Sequence, residues 1–252
     1  MLGVFNAFSA ATPELTAEQI MARLGYSRGT AYRYVRELVA VGLLARAGGG
    51  AYTLGPRIIE LDYAIRLCDP VLRAAVPEMQ ALCRKFECDV LLTILSDDHV
   101  IVTHHEVGSD RIQMSYGRGR AMPMFRGAPA KVILAALPLA RQKRIYQEHA
   151  ADIAGAGLGT DWDEFRAVVQ GIRKAGHFTS FAELDPNNVG VAVPLTGASP
   201  QPGSLALVLS QPRYDIVDKN LLLADLGAAA QRITLSTTTN QNPGDPHVLH
   251  PS

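Results

Sequence analysis

The stretch that decides the N-terminal fold runs from Leu24 to Gly55 and reads LGYSRGTAYRYVRELVAVGLLARAGGGAYTLG. Its first half has a helical period: at about 100° per residue, apolar side chains fall on one face and arginines on the other. Its second half has two short apolar runs separated by three glycines, which predicts a β-hairpin. The stretch therefore predicts a helix followed by a wing, and raises the question of what the basic face meets.

Another helix is predicted directly before this one. Thr16 and Gln19 have the spacing of a capping box, in which a hydroxyl and an amide satisfy each other's backbone donors at a helix start. Gly25 can adopt the left-handed conformation that ends such a helix, and Ser27 is a favourable N-cap for the next one. Two short helices joined by so tight a turn must cross steeply, which is helix-turn-helix geometry.

The outer face of the second helix is basic although the whole chain is neutral, with 24 Lys and Arg against 24 Asp and Glu. From Arg23 to Arg57 there are six arginines and a single acid, Glu37. Charge alone fits a solvated surface, but an arginine-only face beside a wing favours phosphate and base contacts. The predicted DNA-binding residues are Ser27, Arg28, Thr30, Tyr32, Arg33 and Arg36 in the helix and Arg46 on the wing.

The rest of the chain predicts an α+β domain with an antiparallel sheet. Short apolar runs predict six strands, three on each side of a helical middle. These runs lie at 90–95, 100–107, 111–116, 178–184, 189–195 and 204–210. A helix over 161–176 is expected to be capped by Thr160 and ended by Gly176, and a final helix is expected from about Asp215 to Leu235.

Both halves resemble the IclR-type bacterial transcriptional regulators, and the resemblance covers nearly the whole chain. The N-terminal match is LTAEQIMARLGYSRGTAYRYVRELVAVGLLAR with GAYTLGPRIIEL, where Arg28 and Gly29 replace the usual Lys-Ser pair. Gly176, Ser180 and Glu183 match the family's C-terminal pattern. The resemblance implies a winged helix-turn-helix and a GAF-like effector-binding domain. Because the chain begins inside the family's first helix, the N-terminal arm of some relatives is expected to be absent.

Together, these patterns predict four regions. The winged helix-turn-helix domain is expected at 1–55, a linker helix that packs against another subunit at 56–69, and the effector-binding domain at 70–236. The residues at 237–252 are polar and Pro-rich and are expected to be disordered.

The resemblance also places an effector site at the segment PMFRGAPAK, 123–131. In relatives that bind small carboxylates, backbone N–H groups at a helix start hold the carboxylate. Here Pro129 has no N–H, Arg126 offers a guanidinium, and Gly190 removes a side chain. We expect a pocket larger and more apolar than one for a two- or three-carbon acid, with an aromatic carboxylate as a candidate.

The predicted effector-binding residues are Phe125, Arg126, Ala128, Ser180, Gly190, Val208 and Ser210. The alternative for Arg126 is a surface position or an ion pair at a subunit interface.

An enzyme or hydrolase built on a GAF-like domain is the alternative function, and a scaffold protein whose winged domain binds another protein is a third. The only metal-like run is His104-His105-Glu106, whose neighbours point to opposite faces of a strand. The sequence lacks GxSxG, P-loop and GxGxxG motifs, and Gly117–Arg120 is interpreted as a turn. We therefore expect a non-enzymatic protein with no cofactor and no metal.

Three cysteines, Cys68, Cys83 and Cys88, lack metal or disulfide spacing, which predicts reduced thiols. The sequence shows no signal peptide and no apolar run of membrane-spanning length, so a cytoplasmic protein without membrane contacts is expected. The expected partners are double-stranded operator DNA, a small-molecule effector (a carboxylate), and further copies of the chain in a homodimer or homotetramer.

Overall fold

A computed structural model of the protein describes residues 1–110 and 112–239. The chain divides into two units, Met1–Asp69 and a second one that starts at Pro70. The first unit contains, in chain order, β1 (Leu15–Thr16), α1 (Ala17–Leu24), α2 (Arg28–Ala40), β2 (Leu44–Arg46), β3 (Ala51–Leu54) and α3 (Arg57–Cys68). Its three strands pair antiparallel in the order β1-β3-β2, so the hairpin around the glycines forms a wing beside the helix pair.

Local capping signals set the helix boundaries of the first unit. Thr16 Oγ1 accepts a hydrogen bond from the Gln19 backbone N–H (3.3 Å) and Gln19 Oε1 accepts one from the Thr16 backbone N–H (2.8 Å). Gly25 ends α1 in the left-handed region with φ 67°, and the Ser27 side chain caps α2. All three predictions are confirmed, and the short turn between the caps positions α2 across α1.

One apolar core holds this unit together. Ala31, Val35 and Leu38 on the inner face of α2 are buried, and they pack with Ile20 of α1 and Leu44 of β2. Burying this inner face leaves the opposite, arginine-bearing face of α2 in solvent.

The second unit is an α+β domain. Its elements are α4 (Pro70–Phe86), β4 (Asp89–Ser96), β5 (His99–Glu106), β6 (Ala121–Met122), α5 (Ala128–Ala136), α6 (Leu139–Gly155), α7 (Trp162–Ala175), β7 (Phe178–Phe181), β8 (Asn188–Leu195), β9 (Gly203–Ser210), α8 (Gln211–Ile216) and α9 (Lys219–Thr239). The six strands form one antiparallel sheet in the order β6-β5-β4-β9-β8-β7. This architecture confirms the predicted fold class.

Both faces of this sheet are covered by helices. α4 and α9 pack on one face, where Val90 and Leu92 of β4 are buried. α5 packs on the other face with α7 behind it, and Leu91, the residue between them, is buried there. The central strand is therefore apolar on both sides, as expected for a strand buried in the middle layer.

The predicted strand at 111–116 is wrong over its described part, 112–116. The backbone there is bound by side chains instead of a strand partner: Asn188 Nδ2 donates to the Gln113 carbonyl (2.8 Å), and the Ser115 N–H donates to Asp185 (3.1 Å). The edge strand of the sheet is instead the two-residue β6. The segment 112–120 is therefore a loop.

Three helix boundaries also differ from the expectation. The N-cap of α7 is Asp161, whose carboxylate accepts from the Glu164 N–H, because the Thr160 hydroxyl donates to the Glu164 side chain instead. The single predicted final helix is two helices, α8 and α9, and α8 is capped by Ser210. The last helix continues to Thr239, so helix replaces the expected disorder at 237–239, and residues 240–252 lie outside the described part of the chain.

Candidate nucleic-acid interface and ligand pocket

The outer face of α2 carries three exposed arginines, Arg28, Arg33 and Arg36. They lie opposite the buried residues of the same helix, so the first unit presents a rigid basic surface. Two other arginines of the sequence cluster have structural contacts. Arg23 donates to the Ala7 carbonyl (2.7 Å), and Arg57 pairs with Glu60 (2.6 Å).

Some predicted DNA-binding side chains already have partners within the unit. The Ser27 hydroxyl donates to Thr30 Oγ1 (2.9 Å) while it accepts the Thr30 backbone N–H (3.4 Å), so both residues serve as the helix cap. Tyr32 Oη donates to Glu18 Oε1 (2.5 Å). This hydrogen bond lowers the pKa of the Glu18 carboxyl and raises the pKa of Tyr32. The groups left free to meet a phosphate or a base are mainly the arginines.

Arg46 lies at the end of β2, where the wing turns, and its side chain is exposed. The turn needs glycine because Gly49 and Gly50 have φ angles of 65° and 77°. The structure therefore brings Arg46 to a hairpin tip in the same unit as the α2 arginines.

In the second unit, a cavity of about 40 Å³ lies between the N-terminus of α5 and the sheet. Ser180, Gly190 and Val208 are paired in register across β7, β8 and β9, and all three line it together with Ala128. A Cβ on Gly190 would come within 3.0 Å of Ser180 Oγ, so glycine keeps the space above this hydroxyl open. The structure thus brings four of the predicted effector-binding residues together.

The chain's own side chains occupy the backbone donors at the start of α5. The Ala128 N–H donates to Ser180 Oγ (3.0 Å), and the Gly127 N–H donates to Glu183 Oε2 (2.9 Å). Lys131 Nζ, with its residue only 4% exposed, donates to Glu183 Oε1 (2.7 Å) and lies 4.9 Å from the Phe178 ring centroid. A carboxylate does sit at this helix N-terminus, where anions are favoured, and it is that of Glu183.

Sequence reasoning missed most of the cavity wall. Met114 and Tyr116 come from the loop that replaces the predicted strand, and Asp185 and Asn188 hold this loop in place. Glu183 was recognised only as part of a family pattern. The useful signal was that Ser180 and Glu183 flank the end of β7, where both can reach the start of α5.

Three predicted effector-binding residues lie elsewhere. Phe125 and Arg126 line a separate open groove, and no described residue lines both the groove and the cavity. Ser210 caps α8 and donates to Asp110 (2.6 Å). Phe125 and Arg126 precede α5, whereas the N–H groups of Gly127 and Ala128 are bound by Glu183 and Ser180 at the cavity.

The cavity is also smaller than expected. A buried water needs roughly 10–15 Å³ of cavity, so about 40 Å³ holds on the order of three waters. Glu183, Leu184 and the loop side chains fill the space that the sequence assigned to a large apolar pocket. An aromatic ligand therefore requires some of these side chains to move.

The residues that suggested a metal enzyme point apart, as expected for neighbours on a strand. His104 Nε2 contacts Glu106 (2.8 Å), whereas His105 Nε2 contacts the buried carboxylate of Asp89 (2.7 Å). Within residues 1–110 and 112–239, no three His, Cys, Asp or Glu side chains are grouped to hold a metal ion. No helix in the same residues is long and apolar enough to cross a membrane.

Thiol chemistry gives a direct check of burial. Cys83 and Cys88 are buried and Cys68 is exposed, and burial raises the pKa of both buried thiols, most strongly for Cys88. Because the thiolate is the reactive form, we expect a disulfide reagent at neutral pH to modify Cys68 first and the other two only on unfolding. The measurement is the release of the reagent's own thiolate with time, with Cys68→Ser as the control. Fast reaction of two or more thiols in the folded protein would contradict it.

Comparisons with known proteins agree with this architecture. Residues 68–235 match the family described as the C-terminal part of the bacterial transcriptional regulator IclR, and residues 1–48 match the IclR helix-turn-helix domain. The chain is 25% identical over 183 residues to the HTH-type transcriptional regulator KipR of Bacillus subtilis, covering 73% of each chain. It is 29% identical over 201 residues to the HTH-type transcriptional regulator Rv1719 of Mycobacterium tuberculosis, covering 79% of this chain and 76% of that protein.

Solved structures show the same fold over nearly the full length. An IclR homolog from Microbacterium hydrocarbonoxydans, crystallised in complex with 4-hydroxybenzoate, superposes with a TM-score of 0.75. The two sequences are 22% identical, and the match covers 94% of this chain and 97% of the other.

Proposed function

Because the chain belongs to the IclR family of bacterial transcriptional regulators, we propose that it binds a pseudo-palindromic operator as a dimer and responds to a small carboxylate. The observation that carries this proposal is the exposed outer face of α2, which carries three arginines and a single acid, Glu37, and whose inner face forms the core of the unit. Such a helix can enter a major groove without unfolding its own support. The site of action is then the chromosome, in the cytoplasm.

Each side chain has a proposed role at the DNA. Arg28, Arg33 and Arg36 contact phosphates and base edges in the major groove, and Arg46 reaches an adjacent phosphate or the minor groove. Ser27 and Thr30 fix the start of α2, where their cap lies beside a phosphate. Tyr32, tethered to Glu18, lies at the side of the groove.

A second copy of the chain is proposed to cover α3. This helix has no buried residue, and large apolar side chains are exposed along it: Ile59, Leu61, Tyr63, Ile65 and Leu67. Exposed apolar surface of this extent marks an interaction site. A two-fold operator requires two winged units, so a homodimer, or a homotetramer of two such dimers, satisfies both demands.

The effector is proposed to enter the cavity at Ser180 and Gly190. The relative from Microbacterium binds 4-hydroxybenzoate, which supports a carboxylate and keeps an aromatic acid as a candidate. A carboxylate in this cavity takes the place of Glu183 at the Gly127 N–H and at Lys131, because those donors are already used. Binding then releases the Glu183 segment, which through Asp185 also holds the loop at the cavity mouth. The regulators among the relatives favour this role over an enzyme.

The proposal is tested by selecting genomic fragments that the purified full-length protein retains, then titrating the enriched fragment. We expect two chains, or two pairs of chains, per fragment by mass photometry, and an affinity that falls steeply with added salt because phosphate contacts release counterions. A carboxylate found by thermal-shift screening is expected to change this affinity. Retention of no fragment, or binding insensitive to salt, would contradict operator recognition.

A further inference from the structure

The open groove that contains Arg126 is distinct from the cavity used in the proposed function. It has a volume of about 490 Å³ and lies where three segments meet. Asp98 comes from the β4–β5 turn, residues 123–126 precede α5, and His149 and Asp152 come from α6. A depression of this size built from separate elements is wide enough for a small organic molecule.

Among the residues that the structure describes, this groove contains one paired and two unpaired charged side chains. Asp152 has a partner, since its carboxylate lies 3.4 Å from His149 Nδ1. Arg126 and Asp98 have opposite charges and line the same groove, yet neither forms an ion pair or side-chain hydrogen bond with a residue of the described chain. They are therefore too far apart to neutralise each other directly, and each is free to meet one charged end of a ligand.

The same groove also has an aromatic wall, formed by Phe125 and His149. The Phe125 and His149 ring centroids are 5.6 Å apart with their planes inclined by 53°. The helical conformation of α6 is interrupted at His149, with φ −133° and ψ 28°, which distinguishes this residue from its helical neighbours. Tilted ring pairs of this kind pack well against the face or edge of a third ring.

We propose that this groove is a second small-molecule site, and that its ligand is a zwitterion with an aromatic side chain, an aromatic α-amino acid or a close analogue. Arg126 takes the carboxylate, Asp98 takes the ammonium group, and the ring lies against Phe125 and His149. An α-amino acid carries its ammonium and carboxylate groups on the same carbon, so it can bridge two side chains that do not reach each other.

The balance of charges separates this ligand from a simple acid. With neutral histidine, the groove contains one cation, Arg126, and two anions, Asp98 and Asp152. A plain carboxylate would meet one favourable and two unfavourable charges, whereas a zwitterion also satisfies Asp98. The site thus differs in ligand charge as well as in position from the cavity near Ser180.

Three probes that share a phenylethyl group test the proposal by calorimetry on the full-length protein: L-phenylalanine has both charged groups, 3-phenylpropanoate only the carboxylate and 2-phenylethylamine only the ammonium group. We expect phenylalanine to bind best, and Arg126→Gln and Asp98→Asn each to weaken it by about tenfold or more, since each removes a charged hydrogen bond. Asp98→Asn is expected to improve 3-phenylpropanoate binding, while Arg126→Gln abolishes it. Both positions are exposed and without described partners, so thermal melts should match the wild type.

Gly190→Ala is the control for location, because its methyl group enters the cavity near Ser180 and leaves the groove unchanged. Phenylalanine binding that survives Gly190→Ala and falls in both charge variants supports the second site. Binding lost only in Gly190→Ala assigns the ligand to the cavity and overturns the proposal. The proposal is also overturned if phenylalanine binds equally well to both charge variants, or if none of the probes gives a heat of binding at millimolar concentration. None of these results bears on operator binding.

Discussion

Arg33→Ala is expected to weaken sequence-specific DNA binding by about thirtyfold or more while leaving the winged unit folded. Arg33 is exposed on the outer face of α2, and its guanidinium carbon lies 5.3 Å from the centroid of the neighbouring Tyr34 ring. A cation–π contact at an exposed site contributes only about 0.5–1 kcal/mol. The folded state therefore loses little stability when this side chain is truncated.

The variant loses more free energy in DNA binding than in folding, because the arginine–base contact is lost in both half-sites of the operator. A bidentate arginine–base contact contributes about 1–3 kcal/mol of discrimination, and a dimer on a two-fold operator makes it in both half-sites. We expect specific affinity to fall by about 2–6 kcal/mol, measured by fluorescence anisotropy on the selected fragment at fixed salt. Residual non-specific binding should remain, since the variant keeps the phosphate contacts proposed for Arg28, Arg36 and Arg46.

Two other arginines give matched controls. Arg144→Ala removes an exposed arginine from α6 in the second unit and is expected to leave DNA affinity unchanged. Arg23→Ala removes hydrogen bonds to Ala7 and Thr12, so it should lower the melting temperature of the first unit. If Arg33→Ala lowers the melting temperature as Arg23→Ala does, or if specific affinity is retained, the recognition role of Arg33 is wrong.

The first unit could be predicted almost entirely from sequence because its signals are local. The capping box at Thr16, the left-handed Gly25 and the Ser27 cap each act within four residues, and the inner face of α2 follows from helical periodicity. Local signals could not separate the arginines that point into solvent from those that are hydrogen-bonded within the unit. The partners of Arg23 lie 11 and 16 residues away, in a segment whose path no local rule predicts.

The pocket was only half predictable for the same physical reason. Ser180, Gly190 and Val208 share a face because strand alternation and pairing place them there. The loop with Met114 and Tyr116 reads as a strand, since its apolar residues alternate, but side chains 70 and 75 residues away bind its backbone. Arg126 is two residues from Ala128 along the chain, yet the backbone turns between them and directs it into another groove.

Glu183→Ala is expected to be among the most destabilising changes in the second unit. It leaves the Lys131 ammonium, in a residue only 4% exposed, with the Phe178 ring as its remaining recorded contact, and it removes the acceptor of the Gly127 N–H. Removing one partner of a buried ion pair costs about 3–5 kcal/mol. Because the Glu183 side chain is 26% exposed, we expect a cost just below that range, about 2–3 kcal/mol in the free energy of unfolding.

The measurement is urea unfolding followed by tryptophan fluorescence. Trp162 is the single tryptophan of the chain and packs against Tyr146 and Phe165 in the second unit, so its signal reports on that unit. Glu148→Ala is the control: its carboxylate is half-exposed and lies 3.9 Å from Arg144, so the change should stay within about 0.5 kcal/mol.

Two further variants separate charge from hydrogen bonding at Glu183. Glu183→Gln keeps an acceptor for Gly127 and should cost less than Glu183→Ala, whereas Lys131→Met combined with Glu183→Ala should recover stability because no buried charge remains unpaired. A double variant as unstable as the sum of its single changes would show that the two charges are not coupled. Coupling of the expected size matters for regulation, because a carboxylate that displaces Glu183 must itself pair with Lys131 and Gly127. A neutral analogue cannot do so, and it should therefore fail to act as an effector even where it fits the cavity.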